Sequence, residues 1–114
     1  MTSKQRILAR VARGAKLLDE KKPGWAKMFE KNARKRGFSF VSGASCVLGN
    51  VFGGYGFGMD ALNIPDGGSD FAFNLNSADL ERSRAAILIS QLESAWEVQI
   101  ARRLGRPRRK GAEK

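Results

Sequence analysis

The side chains of this sequence that could do chemistry are its cations, which recur at spacings suited to binding phosphate. Three groups stand out: Arg6, Arg10, Arg13 and Lys16; Lys31 and Lys35; and Arg106, Arg108, Arg109 and Lys110. The first two groups repeat every three or four residues, so each would form a stripe along one side of a helix. Lys and Arg stripes bind nucleic-acid phosphates. A solvated helix face gives the same spacing, and both interpretations stay open.

The charges lie in blocks along the chain. Residues 1–37 hold twelve cations and three acids, residues 38–77 hold three acids alone, and residues 78–114 hold nine cations and five acids. The chain of 114 residues therefore carries a net charge of +10. Because a surface that needed only solubility would mix its signs, the blocks predict a core segment flanked by basic surfaces for an anionic partner.

Few residues suit other chemistry. The chain has no histidine, and therefore no ordinary base that would activate Cys46 or a serine. Asp66 and Asp70 could bind a divalent cation, but no metal-loop pattern surrounds them. The glycine-rich segment 49–58 matches neither a phosphate loop nor a dinucleotide turn. We expect no enzyme activity, no metal and no cofactor.

The glycine-rich centre of the chain is predicted to be structural. Cys46 is predicted to be a small buried hydrophobic residue. Gly49 and Gly53 would let a neighbouring helix approach closely. Tyr55 and Phe57 could stack on unpaired bases, although we favour rings that cap the core. The uncharged run 38–59 is long enough to span a bilayer, but its glycines and serines make it a poor membrane segment.

Length and composition predict one domain, with two mini-domains as the alternative. The single cysteine and the lack of a leader-like N-terminus predict a cytoplasmic protein. Residues 1–105 are predicted to form a mainly α domain of about four helices, and residues 106–114 a disordered basic tail.

Hydrophobic periodicity places the helices. The first runs from Ser3, as its N-cap, to about Lys21. Its core face is predicted to hold Ile7, Leu8, Val11, Ala15 and Leu18. The second begins at Pro23, pairs with the first as a helical hairpin, and ends at Gly37. Its inward residues are predicted to be Trp25, Met28 and Phe29, and its outward ones Lys27, Lys31, Arg34, Lys35 and Arg36.

The remaining elements follow from turn and capping signals. Residues 38–41 are predicted to be extended, a third helix ends at Gly53, and a short helical turn covers residues 59–62. The last helix should run from a cap at Asn76 or Ser77 to about Leu104. Its buried face is predicted to centre on Leu88, Leu92, Ala95, Trp96 and Gln99, with Ile87, Ile89, Val98 and Ile100 on the flanks.

Residues 105–107, Gly-Arg-Pro, with Arg108, Arg109 and Lys110 behind them, resemble an AT-hook. The resemblance implies an extended backbone in the narrow minor groove of A·T-rich DNA, where the negative potential attracts Arg. Leu104 departs from the hook, which has Arg at that position. A plain electrostatic tail is the alternative.

Residues 13–25 (RGAKLLDEKKPGW) and 46–55 (CVLGNVFGGY), followed by Gly58 and Leu62, are similar to small proteins encoded by phages of actinobacteria and by their hosts. The resemblance implies a phage or prophage origin and a shared fold. It implies no activity.

Together these features predict a non-enzymatic nucleic-acid-binding accessory protein, with DNA favoured over RNA. The predicted phosphate contacts are Arg6, Arg10, Arg13, Lys31, Lys35, Arg106, Arg108, Arg109 and Lys110. The alternative is a protein-binding module that docks on a host protein or a multi-subunit machine through an exposed glycine- and phenylalanine-rich centre. A structural role on packaged nucleic acid is a third possibility.

Overall fold

The computed structural model describes residues 3–40, 42–64, 68–75 and 84–105, which form five α-helices, one 3-10 turn and no strand. The helices are α1 (Ser3–Lys21), α2 (Trp25–Arg36), α3 (Val47–Phe52), α4 (Tyr55–Leu62) and α5 (Ala85–Arg103), with the 3-10 turn at Ser69–Phe71. The predicted mainly α fold is confirmed, and these elements enclose one hydrophobic core. No helix in the described ranges is both long and apolar enough to cross a bilayer.

Helices α1 and α5 lie side by side and run parallel. Arg103, in the last turn of α5, contacts Asp19 near the end of α1, while Ile7, near the start of α1, lines a groove together with residues between Ser90 and Val98 of α5. Burial of Ile7, Val11, Ala15 and Leu18 confirms the predicted core face of α1. The prediction for Leu8 is wrong: its side chain is 46% exposed, because it lies at the rim of the contact with α5.

The buried face of α5 agrees with the sequence, but its start does not. Leu88, Leu92, Ala95 and Trp96 are buried as predicted, whereas Gln99 is half-buried and Ile87 is 50% exposed. Arg84 has an extended backbone (φ −65°, ψ 138°), so α5 begins at Ala85 and the prediction of one continuous helix from residue 76 or 77 is wrong. The caps predicted at Asn76 and Ser77 lie outside the described residues.

Helix α2 leaves α1 instead of pairing with it along its length. α2 packs mainly against α3, whereas α1 packs mainly against α5 and the 3-10 turn, so the predicted side-by-side hairpin is not formed. α2 begins after Gly24, whose φ of 83° turns the chain, and not at Pro23. Gly37 ends it as predicted, with φ 79°. Met28, expected inside, is 39% exposed.

The cation-free centre forms much of the core. Every residue of α3 except Phe52 is buried, and Cys46 caps the helix: the Gly49 N–H donates to its Sγ at 3.3 Å. Gly49 packs against the backbone of residues 43–44 and not against a helix, and Gly53, at φ 93°, ends α3. Helix α4 is longer than the turn predicted at residues 59–62, and residues 38–40 form neither a helix nor a strand.

Candidate nucleic-acid interface

The outward face of α2 is cationic. The exposed residues there are Lys27, Lys31, Arg34 and Lys35. Arg36, predicted with them, is directed towards α3, where its Nη1 donates to the Gly49 carbonyl at 3.3 Å. The only acid in this helix is Glu30, which forms an ion pair with Arg34 at 3.5 Å. Because Lys27, Lys31 and Lys35 are four residues apart, their Cα atoms step by about 6 Å along the helix. The face therefore offers a row of positive charges to an extended anion.

A second set of exposed cations lies on α1, where Arg6, Arg13 and Lys16 point away from the core. Glu20, also exposed, adds a negative charge near the end of this helix. The stripe is therefore less uniformly basic than the outward face of α2.

Arg10 is placed differently from the other predicted phosphate contacts. It is half-buried, and its Nε donates to the Ser69 carbonyl at 2.7 Å. Its Nη2 also donates to the Asn74 carbonyl at 3.4 Å. The guanidinium therefore fastens residues 69–74 to α1. Spacing within α1 cannot reveal this, since the partners lie about sixty residues away in the sequence.

A polar cluster sets the junction from which α2 departs. The Asp19 carboxylate accepts hydrogen bonds from Arg103 Nε and Nη2, each at 2.7 Å, and from Trp25 Nε1 at 2.9 Å. Arg103 also donates to the carbonyl and side chain of Gln99, and lies over the Trp25 ring at 5.5 Å. One side chain of α1 thus joins the start of α2 to the end of α5. No pattern in the sequence predicts this role for Asp19 or Arg103.

The hydrogen bonds from Arg103 hold the pKa of Asp19 below its usual value of 3.8, and the bond from Trp25 acts in the same direction. Because the folded-state pKa is depressed, this carboxylate stabilises the fold above about pH 5 and stops doing so as pH falls through the folded pKa. Asp19→Asn should lower the free energy of unfolding by about 1 kcal/mol at pH 7, since the pair is partly exposed.

Urea unfolding across pH 2–7 measures this effect. The difference between wild type and Asp19→Asn should shrink towards zero at the acid end, while Asp60→Asn, at an exposed carboxylate on α4, should change stability by less than about 0.5 kcal/mol throughout. A difference for Asp19→Asn that stays constant with pH would contradict the cluster's role.

Three other predicted features can be placed. Burial raises the pKa of the Cys46 thiol, which keeps it neutral at pH 7 and fits the predicted small buried side chain. Tyr55 is half-buried against the core, but Phe57 is 70% exposed, so the expectation that both rings cap the core is wrong for Phe57. In the described ranges no three His, Cys, Asp or Glu residues form a metal-binding group; Asp66 lies outside them.

The third group of predicted phosphate contacts, in the AT-hook-like segment, falls outside the described residues. This group consists of Arg106, Arg108, Arg109 and Lys110. Gly105, at φ 67°, is the last residue described, and Leu104 before it packs against the core.

Comparisons of this chain with protein-family models, with curated proteins and with solved structures found no match.

Proposed function

We propose that this chain is a non-enzymatic nucleic-acid-binding accessory protein, of phage or prophage origin as its resemblance implies. The observation that supports this most is the outward face of α2, where one paired acid stands among four exposed cations. A row of Lys and Arg binds the phosphate backbone without reading sequence, whereas base readout needs contacts in a groove.

The proposed phosphate contacts differ from the predicted ones at two residues, since Lys27 is added and Arg10 is removed. Lys31 and Lys35 join Lys27 on α2, and Arg6 and Arg13 contribute from α1. Arg10 contributes little because its guanidinium already holds two carbonyls. Arg106 and residues 108–110 remain part of the proposal as an electrostatic arm or as a minor-groove hook on DNA.

Counterion release gives this proposal a quantitative test. Fluorescence anisotropy of labelled duplex DNA should show affinity falling steeply with salt, with a slope of about −0.9 for each phosphate contacted. The triple variant Lys27→Gln, Lys31→Gln, Lys35→Gln should weaken binding about tenfold or more at low salt and reduce the slope by about three. The triple Lys→Arg variant keeps every charge and should bind like wild type.

Two further measurements test the tail and the choice of nucleic acid separately. A chain ending at Leu104 measures what the tail adds, and a preference of the full chain for A·T-rich duplex that disappears on truncation would favour the hook. The same assay with duplex RNA tests whether the chain binds DNA more tightly than RNA. If the glutamine variant binds with the wild-type affinity and slope, the outward face of α2 is not the interface.

The exposed Phe57 favours the second candidate, a protein-binding module for a host protein. A large ring that is mostly exposed on α4, with glycine on either side, suits an anchor that inserts into a partner's pocket. Binding through such an anchor would respond weakly to salt and strongly to Phe57→Ala. Phosphate-driven binding would show the opposite pattern.

A further inference from the structure

A shallow groove runs between α1 and α5 on the solvent side of the parallel pair. It has a volume of about 260 Å³, with Ile7 and Ala95 at its base and Leu8, Ser94 and Val98 among its walls. No residue of α2 lines it, and neither Arg6 nor Arg13 of α1 does, so the groove is separate from the proposed phosphate contacts.

The groove continues as an exposed apolar strip. Leu8 and Ile87 are two of the four large hydrophobic residues exposed in the described part of the chain. Ile87 is 50% exposed and lies seven residues before Ser94, hence on the same side of α5. Small side chains such as Ser94 and Ala95 between these larger ones leave room for another helix to approach closely.

Cations stand at both ends of this strip. Lys4 lines the groove at the end where α1 and α5 begin. Arg84 and Arg102 are both exposed. Arg84 lies seven residues before Gln91, and Arg102 lies four residues after Val98. Because Gln91 and Val98 line the groove, both arginines fall on the groove side of α5. No carboxylate lines the groove.

Three acids of the two helices need to be placed relative to the groove. Glu93 accepts a hydrogen bond from the Phe40 N–H at 2.9 Å, and Asp19 is paired with Arg103. Glu97, three residues after Ser94, is half-buried and does not line the groove. The surface is therefore apolar along its middle and positive at its ends.

We infer that this groove docks an acidic amphipathic α-helix of a partner protein. The apolar stripe of that helix would cover Leu8, Ile87 and Val98, and carboxylates near its ends would meet Lys4 and Arg84 at one end and Arg102 at the other. Charge selects this occupant over a second copy of the chain, which would bring further cations to a cationic rim on a protein of net charge +10. This inference does not depend on nucleic-acid binding.

The geometry also sets the length of the partner helix. Arg84 and Arg102 are eighteen residues apart, about 27 Å along a helix, so a helix of about eighteen residues reaches both ends. The probe is a fluorescein-labelled peptide of that length with leucine at every third or fourth position, alanine on the outer face and glutamate in the first and last turns. One comparison peptide has lysine for glutamate, and another has serine for leucine.

Anisotropy against the full chain measures binding of the three peptides. The acidic peptide should bind at least tenfold more tightly than either comparison peptide. Leu8→Ser, which removes an exposed apolar contact, and Ser94→Glu, which places a negative charge in the groove, should each weaken it at least tenfold. Phe57→Ser removes an exposed hydrophobic residue on another surface and should leave it unchanged.

Backbone amide shifts of the full chain locate the peptide. Shifts confined to residues near Leu8, Gln91 and Val98 would support the inference. Shifts spread over Lys27, Lys31 and Arg34 would overturn it, because charge alone would then explain binding. Equal binding by the serine peptide, displacement of the peptide by duplex DNA, or a dimer abolished by Leu8→Ser would also overturn it. DNA binding by Ser94→Glu reports separately on the proposed function.

Discussion

Replacing Gly14 with alanine is expected to destabilise the fold by about 2 kcal/mol, although alanine favours a helix by about 1 kcal/mol over glycine. Gly14 is buried in α1 where the chain crosses Trp96. A Cβ there would overlap the Phe71 carbonyl oxygen and approach the Trp96 ring at 2.9 and 3.0 Å. The carbonyl belongs to the backbone and the tryptophan is fully buried, so neither can move aside cheaply.

Chemical denaturation of Gly14→Ala and Gly56→Ala tests this expectation. Gly56 is also within a helix, but a Cβ there meets nothing within 4 Å, so its alanine variant should be unchanged or more stable by up to about 1 kcal/mol. If both variants gain stability, α1 does not approach the 3-10 turn as closely as described.

Trp96→Ala should lower the free energy of unfolding by about 3 to 5 kcal/mol. Trp96 is fully buried, stacks on Phe73 at a centroid distance of 5.5 Å and lies nearly perpendicular to the Trp25 ring at 6.0 Å. Its Nε1 donates to the Ala72 carbonyl at 2.9 Å. Removal of the ring would leave a large cavity and an unpaired carbonyl where α1, α2 and α5 meet.

Because Trp96→Ala could leave the chain unfolded, Trp96→Phe keeps the measurement possible. Phenylalanine retains an aromatic ring but cannot donate to Ala72, so we expect a loss of about 1 to 3 kcal/mol. Ile87→Ala on the exposed flank of the same helix should change stability by less than about 1 kcal/mol. Urea unfolding followed by tryptophan fluorescence compares the three variants, and equal losses for Trp96→Phe and Ile87→Ala would contradict a central role for the ring.

The helices and most of the core could be predicted from the sequence because they depend on local periodicity. Val11, Ala15 and Leu18 repeat along α1, Leu88, Leu92 and Trp96 do so along α5, and all six are buried. Glycines marked the ends of α2 and α3. The differences concern residues at the edges of helix contacts, namely Leu8, Met28 and Ile87. The pattern of one helix does not specify whether a neighbouring helix covers such a flank.

The candidate interface was only partly predictable for a related reason. Exposed Lys31 and Lys35 follow from the pattern of α2 alone. Arg10 looked equivalent to Arg6 and Arg13, yet its partners lie in a distant turn. The Asp19 cluster joins three helices, and the groove exists only because α1 and α5 run parallel. Such features depend on long-range packing and carry no local signal.

Arg103 brings the end of α5 to the start of α2. It touches both Asp19 and Trp25, the first residue of α2, and the basic residues 106–110 begin only three positions further along the chain. If these residues and the outward face of α2 bind the same polyanion, the second contact forms at a high effective concentration, and two individually weak elements gain avidity through the fold itself.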